Sequence, residues 1–455
     1  MKNVHKNLLL TSSVKSLVLV TGLALITGCQ TASTYDTAST SESKVMKAEM
    51  AAKEMVLSAS TSNDAARAAY MAGWADFENA RNVTAYQKFE SALADDPNFV
   101  MAHVMAAWVA PSTEAFISHT KKAGALKSSA GATEQKLVEM LESFLANDAK
   151  GATAAAKAAT DLDPKSARVW NFLGATYANT NDTDDARAAY KMATKLDANF
   201  VPGFINLGNN YLTQEPKDFT KAEKYFRKAV AMTPNEPNPH DLLGDVHRAQ
   251  NDLKAAYKDY TKAAELAPTL GSGLQQRGHV NSFLGNYAEA RADYAKAANL
   301  EDARGSSAGP PFRVFGAYVH LHEGNPGAAI TELQGISDSL IGSTKEGARD
   351  ARVNALYNIA QIATETGRYE TASKAIKDAA TIQWEQAELL GSDSFKSAAK
   401  ATKLYNKGLL AARMGDSEKV QKVKALFKEE VATNTNPRKY ERLHEILGMD
   451  AYQKG

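Results

Sequence analysis

Cysteine is nearly missing from this chain of 455 residues: the single one, Cys29, permits no internal disulfide and no cluster of thiolates around a metal ion. An excess of one charge is missing too, with 53 Lys and Arg against 52 Asp and Glu. Such a balance provides no general attraction to nucleic acid or to an anionic membrane surface. Proline is sparse, at 13 residues, and aromatics make up 8%. The apolar run from Ser16 to Gly28 holds 13 residues, short of the roughly 20 that a spanning helix needs. Catalytic signatures are also lacking: there is no HExxH, no GxGxxG after a strand, no phosphate loop and no GxSxG elbow. What is present is a hydrophobic fraction of 44%, far above that of a disordered chain. By length about three domains would be expected, unless the chain is a repeat array that grows without new cores.

The N-terminus reads as an address. Lys2, Lys6 and Lys15, with no acid before Asp36, form a basic stretch ahead of the Ser16 to Gly28 run, as in a secretory signal. Leu25-Ile26-Thr27-Gly28-Cys29 resembles the lipobox of bacterial lipoproteins, in which cleavage precedes the cysteine and its sulfur takes a diacylglycerol. The resemblance implies lipidation of Cys29, and Gln30 at the next position implies sorting to the outer membrane of a Gram-negative cell. Several acyl chains on one residue would anchor durably where a single chain would not. The cleaved chain would carry 50 basic and 52 acidic residues. From Gln30 to Ser43 eight of 14 residues are Ser or Thr, a composition too polar to fold and read here as a tether. Such a chain spans on the order of 20 Å. Lys44 to Leu57 regains helix formers and predicts a lead-in helix.

A period near 34 residues organises the rest. Glycines recur at Gly174, Gly208, Gly244, Gly278 and Gly316; alanines recur in phase at Ala186, Ala222, Ala256, Ala290 and Ala328; aromatics follow at Tyr190, Phe226, Tyr260 and Tyr294. Glycine to alanine is 12 residues, except for 14 between Gly208 and Ala222, which places a two-residue insertion in the turn around Thr213 to Thr220. Four further residues between Ala297 and Gly316 are assigned to the Gly305 to Pro311 loop. The segment Trp170-Asn171-Phe172-Leu173-Gly174-Ala175-Thr176-Tyr177 with Ala186, Tyr190 and Ala193 resembles the tetratricopeptide repeat, and so does Phe204, Leu207, Gly208, Tyr211, Ala222, Phe226, Ala229 and Pro234. That resemblance implies an all-α, right-handed solenoid of stacked antiparallel helix pairs. Pro164, Pro234 and Pro268 would end second helices. Weaker copies sit at Gly73, Ala85, Phe89, Ala92 and Pro97, at Leu356, Ile359, Ala360, Ala372, Ile376 and Ala379, and at Leu404, Gly408, Ala411 and Val420. The expected organisation is a signal peptide (1–28), lipidated cysteine with tether and lead-in helix (29–62), degenerate repeats (66–166), four well-formed repeats (167–304), further degenerate repeats (305–434) and a C-terminal capping helix (435–455).

No residue is expected to be catalytic, to bind metal or to hold a cofactor. His320 and His322, two apart on a helix, point in different directions; His240 takes the place of Trp170 and Phe204 in its repeat and reads as a half-buried aromatic. In the resembled family the concave face, lined by the first helix of each pair, is the binding surface. Positions facing inward give a polar strip of Asn171, Asn209, Asp241, Asp245, Arg248, Gln275 and His279, suited to the backbone of an extended peptide. Its mixture of Asp, Arg and amides departs from the Lys/Asn/Arg clamp with which some family members grip a C-terminal carboxylate. The functional expectation is a protein-interaction scaffold, not an enzyme, anchored through Cys29 on the periplasmic face of the outer membrane, whose partners are other envelope proteins or extended peptide segments and not nucleic acid. A pilotin-like or assembly subunit of an outer-membrane secretion, pilus or porin-assembly machine is the first alternative, and an enzyme or glycan-binding protein the second.

Overall fold

The computed structural model describes residues 60–79 and 81–454, so the expected signal peptide, Cys29, and nearly all of the tether and lead-in helix lie outside the described residues. Within them the chain forms 21 α-helices and two short 3-10 segments, with no strand. Contacts divide these into two compact units. One carries α1 (Asp64–Glu78), α2 (Asn82–Asp95), α3 (Val100–Trp108), α4 (Thr113–Leu126), α5 (Ala132–Leu145), α6 (Ala149–Leu162), α7 (Ala167–Thr180), α8 (Thr183–Leu196), α9 (Val201–Thr213), α10 (Phe219–Met232), α11 (Pro237–Ala249), α12 (Leu253–Leu266) and α13 (Ser272–Leu284). The other carries α14 (Tyr287–Ala303), α15 (Gly309–His322), α16 (Pro326–Ser339), α17 (Ala348–Glu365), α18 (Tyr369–Leu389), α19 (Asp393–Arg413), α20 (Ser417–Glu430) and α21 (Glu441–Lys454). Most consecutive helices pack against one another in each unit, as a solenoid of hairpins requires.

Turn chemistry explains why the helices break where they do. Asn181, Asn251, Gly324, Gly367 and Gly415 all have positive φ, and each is followed at once by the residue that opens the next helix: Asp182, Asp252, Asn325, Arg368 and Asp416. Left-handed backbone is cheap for Gly and tolerated by Asn, so these residues stop one helix. The side chains of Asp252, Asn325 and Asp416 then accept the amides of Ala255, Ala328 and Lys419, satisfying donors at the start of the second helix.

The hairpin α9–α10 departs from this pattern at the expected insertion. Its longer turn is held from the preceding hairpin by Arg187 of α8, whose guanidinium donates to Asn210 Oδ1 (2.8 Å) and to the carbonyls of Gln214 (3.3 Å) and Pro216 (2.9 Å) while lying 4.2 Å over the Tyr211 ring. The second insertion is placed differently from the sequence expectation. Instead of lying wholly in the 305–311 loop, it lengthens a helix: α14 has 17 residues where α12 has 14. Buried Glu301 and its partner Arg304 (3.1 Å) stabilise the added turn, and Pro310 and Pro311 start α15.

The glycine series marks where two backbones approach. An added Cβ would lie 2.6 Å from the Phe89 ring at Gly73, 2.5 Å from Tyr190 at Gly174, 2.5 Å from Phe226 at Gly208 and 2.4 Å from Tyr260 at Gly244. Each aromatic of the second helix therefore lies across the glycine of the first, and these rings are buried, as are Ala186, Ala222 and Ala256 beside them. At Gly316 the repeat has Glu332 in place of the aromatic, and the nearest atoms would be 3.7 Å away. At Gly408 the space is taken by Ile446 of α21, which thereby docks on α19.

In the first unit the rings at Gly174 and Gly208 share one apolar cluster. Tyr190, Leu207, Phe226, Leu242 and Val246 link α8 to α11. Earlier in the chain Trp74 and Trp108 both meet Phe172, at 6.4 and 4.7 Å between ring centroids, and Arg168 pairs with Glu78, so α1 and α3 are fastened to α7. In the second unit a cluster from Val314 to Leu410 plays the same part. The crossings predict opposite responses at two glycines. Gly208→Leu drives a side chain into Phe226 and should cost about 1–3 kcal/mol in urea denaturation, whereas Gly316→Ala, inside a helix where the added Cβ makes only ordinary van der Waals contacts, should gain about 0.5–1 kcal/mol.

Candidate functional site: the inner strip of the central repeats

The seven strip residues occupy α7 (Asn171), α9 (Asn209), α11 (Asp241, Asp245, Arg248) and α13 (Gln275, His279). The structure brings them onto successive first helices but at two different depths. Asn171, Asp241 and Gln275, three residues before the glycine of each repeat, are 5%, 1% and 5% exposed. They lie beneath the surface and are not available to a ligand as the strip expectation had them. The physical reason is close stacking: the next first helix covers this column, as when Asn206 of α9 donates to Asn171 Oδ1 at 2.9 Å. Asn209, Asp245, Arg248 and His279 remain part-exposed.

Among the part-exposed residues Asp245 is the hub. Its Oδ1 accepts from Arg248 Nη2 (2.9 Å), from the Tyr260 hydroxyl (2.8 Å) and, across the repeat boundary, from Gln276 Nε2 of α13 (3.1 Å). Arg248 Nε in turn donates to the Tyr260 oxygen (3.1 Å). Burial opposes the charge on Arg248, and the Asp245 carboxylate outweighs that penalty, so the guanidinium is held protonated more firmly than usual. Burial pushes the Tyr260 phenol well above its ordinary range, keeping it a donor. Gln275 Nε2 meets His279 Nε2 along α13. Asn209, in contrast, has a side-chain amide that no other described side chain engages. Arg248, on a side chain 34% exposed, bonds this network through Nε and Nη2 and not through Nη1.

Histidine geometry separates structural roles from candidate ones. His240 Nε2 donates to the carbonyl of Pro234 at 3.0 Å, and Trp170 Nε1 donates to Pro164 at 2.9 Å in the same place of its repeat. His103 Nε2 does so to Pro97 at 3.1 Å. An aromatic N–H six residues after the proline thus satisfies a carbonyl left over at the end of the preceding helix. His320 is held by Glu332 at 3.0 Å while His322 lies against Tyr287, so the two do face apart. His247 donates to Asp259 at 2.6 Å. A pair that sequence reading missed is His103 and His119, whose Nδ1 atoms stand 3.1 Å apart. The one signal for it was that His103 is the sole polar residue in the apolar run of α3, all of which is buried.

A solenoid of helix hairpins, crossed at glycine and lined by a polar inner column, defines a helical-repeat interaction protein. The family model for the tetratricopeptide repeat matches residues 167–200, 240–270, 272–303 and 353–383, and the chain therefore carries tetratricopeptide repeats. The hairpin α9–α10, between the first two matches, has the same crossing with a longer turn. Among solved structures the chain is similar to a tetratricopeptide repeat protein from Parabacteroides merdae (14% identity, 59% of this chain and 98% of that one, TM-score 0.41). It is also similar to PilW, titled a widely conserved type IV pilus biogenesis factor (17% identity, 48% and 97%, TM-score 0.38), and to pilF of Pseudomonas aeruginosa (18%, 51% and 89%, TM-score 0.29). No curated protein matches the sequence. Repeats of this kind build protein-interaction scaffolds.

Bonding along the strip predicts which members carry structure. Asp245→Ala leaves Tyr260, Arg248 and Gln276 without their common acceptor and should lower unfolding free energy by about 2 kcal/mol. Asn209→Ala should change it by less than about 0.5 kcal/mol. Equilibrium urea denaturation of both variants, compared with the parent, measures the difference.

Proposed function

We propose that the protein is a periplasmic interaction scaffold tethered to the outer membrane through lipidated Cys29, and that it holds extended segments of other envelope proteins along α9, α11 and α13. The observation that carries the binding half of this reading is the pair of polar groups left over by the strip's own lattice: the Asn209 amide and Arg248 Nη1. An amide offers both a donor and an acceptor, and a guanidinium edge offers donors. Together these are the groups that bind the backbone of an extended peptide without dictating its side chains. His279 on the next first helix extends the row. The anchoring half rests on the sequence, on the lipobox-like Leu25 to Cys29 and the Ser/Thr-rich stretch after it.

Two measurements test the two halves separately. Cys29→Ala should leave the protein unprocessed or release it from the membrane fraction; a processed, membrane-bound variant contradicts the anchor. Capture from gently solubilised envelopes, with bound proteins identified by mass spectrometry, should yield partners that an Asn209→Ala, His279→Ala double variant loses. An unchanged set of partners would place binding elsewhere on the chain.

A further inference from the structure

Outside the inner strip, the first unit has a groove of about 550 Å³ between α2 and α4, lined by Glu90, Leu93, Pro97, His103, His119 and Lys122 among others. The two histidines are 3% and 5% exposed and form its floor. The partners of their outer nitrogens define their protonation. His103 Nε2 faces the Pro97 carbonyl at 3.1 Å, an oxygen that can only accept, so this nitrogen carries the proton and Nδ1 carries a lone pair. His119 Nε2 lies 3.2 Å from Glu90 Oε1 and 3.3 Å from the Tyr86 hydroxyl. With Glu90 as its acceptor the proton of His119 sits on Nε2; with the Tyr86 hydroxyl donating to Nε2 it sits on Nδ1.

The two Nδ1 atoms stand 3.1 Å apart: His119 donates to His103 across this gap when its proton is on Nδ1, and two lone pairs face each other when Glu90 draws that proton to Nε2. Two such lone pairs repel unless a cation stands between them. An imidazole that donates its far N–H to a backbone carbonyl or to a carboxylate is the arrangement found around metal-bound histidine, where the outer partner fixes the ring and raises its basicity. Metal–nitrogen bonds of about 2.0–2.1 Å to both Nδ1 atoms would enclose an angle of roughly 100° at this separation, between square-planar and tetrahedral values. Burial pushes both imidazoles toward the neutral form in which they act as ligands, His119 to about 4. The charges nearby are Glu90, which favours a cation, Lys122 on the exposed rim, which opposes one, and Asp96 beside His103.

We propose that His103 and His119 bind one divalent transition-metal ion of the imidazole-preferring class through their Nδ1 atoms, with Glu90 and the Pro97 carbonyl as the outer partners. No group of three or more His, Cys, Asp or Glu side chains suited to a metal occurs among the described residues. The remaining positions on the ion are therefore filled by water or by a molecule entering the groove, which makes this a site for exchangeable metal and not a structural staple. It is independent of the inner-strip reading.

The probe is Cu²⁺ titrated into the full chain in detergent and a non-coordinating buffer, read by electron paramagnetic resonance. A His320→Ala background removes the surface His320, 3.0 Å from Glu332, as a competing imidazole. One ion per chain with coupling to two nitrogens is expected, falling to one nitrogen and at least tenfold weaker binding in His103→Gln and in His119→Gln. Absence of binding, fewer than two coupled nitrogens in the parent, or spectra unaffected by both substitutions would overturn the assignment. The parent spectrum alone decides the matter if a variant does not fold.

Discussion

The hairpins of the first unit that carry the glycine series depend on how closely their two helices approach. At Gly73, Gly174, Gly208 and Gly244 the first helix offers no side chain, and an aromatic ring from the second helix occupies the space at a distance no Cβ would allow. That contact sets the geometry of the pair, and the geometry of the pair sets which residues of the first helix face the next repeat. Small alanines beside the ring complete the fit. Where the ring is replaced by Glu332, opposite Gly316, the hairpin persists without the crossing. Neighbouring contacts in the cluster from Val314 to Leu410 then supply the cohesion.

Much of this was legible in residue order. A glycine and an aromatic in phase at about 34 residues encode the crossing, and Asn or Gly followed by Asp or Asn encodes the turn between helices. The two-residue insertion after Gly208 could be placed by subtraction, because spacing within a helix cannot absorb it. The four-residue insertion could not, since a helix can lengthen by a turn when its new residues find partners, as Glu301 does with Arg304. Arg187 was also invisible: its partners are carbonyls of the next hairpin's turn, which no residue pattern reports.

The candidate site was only half legible for a related reason. Helical periodicity gives the direction in which a side chain points, whereas depth is set by the neighbouring helix. Asn171, Asp241 and Gln275 point inward as expected and are then covered, while Asn209 and Arg248, about one and two turns farther along their helices, keep groups at the surface. Depth does not sort their roles simply: Asn171 below and Asp245 above each bond a residue of the next first helix. His103 divides its roles between its two nitrogens. Its outer nitrogen serves the fold by capping Pro97, as Trp170 and His240 do for their prolines, and its inner nitrogen is directed at His119.

The claim that the glycine–ring contact governs the hairpin is tested most directly by a double-mutant cycle at Gly208 and Phe226, with unfolding free energy as the readout. Adding a methyl group in Gly208→Ala should destabilise the parent, and the same change made in a Phe226→Leu background should cost less, giving a coupling of about 1 kcal/mol or more. Additive effects, with no coupling between the two sites, would contradict the account.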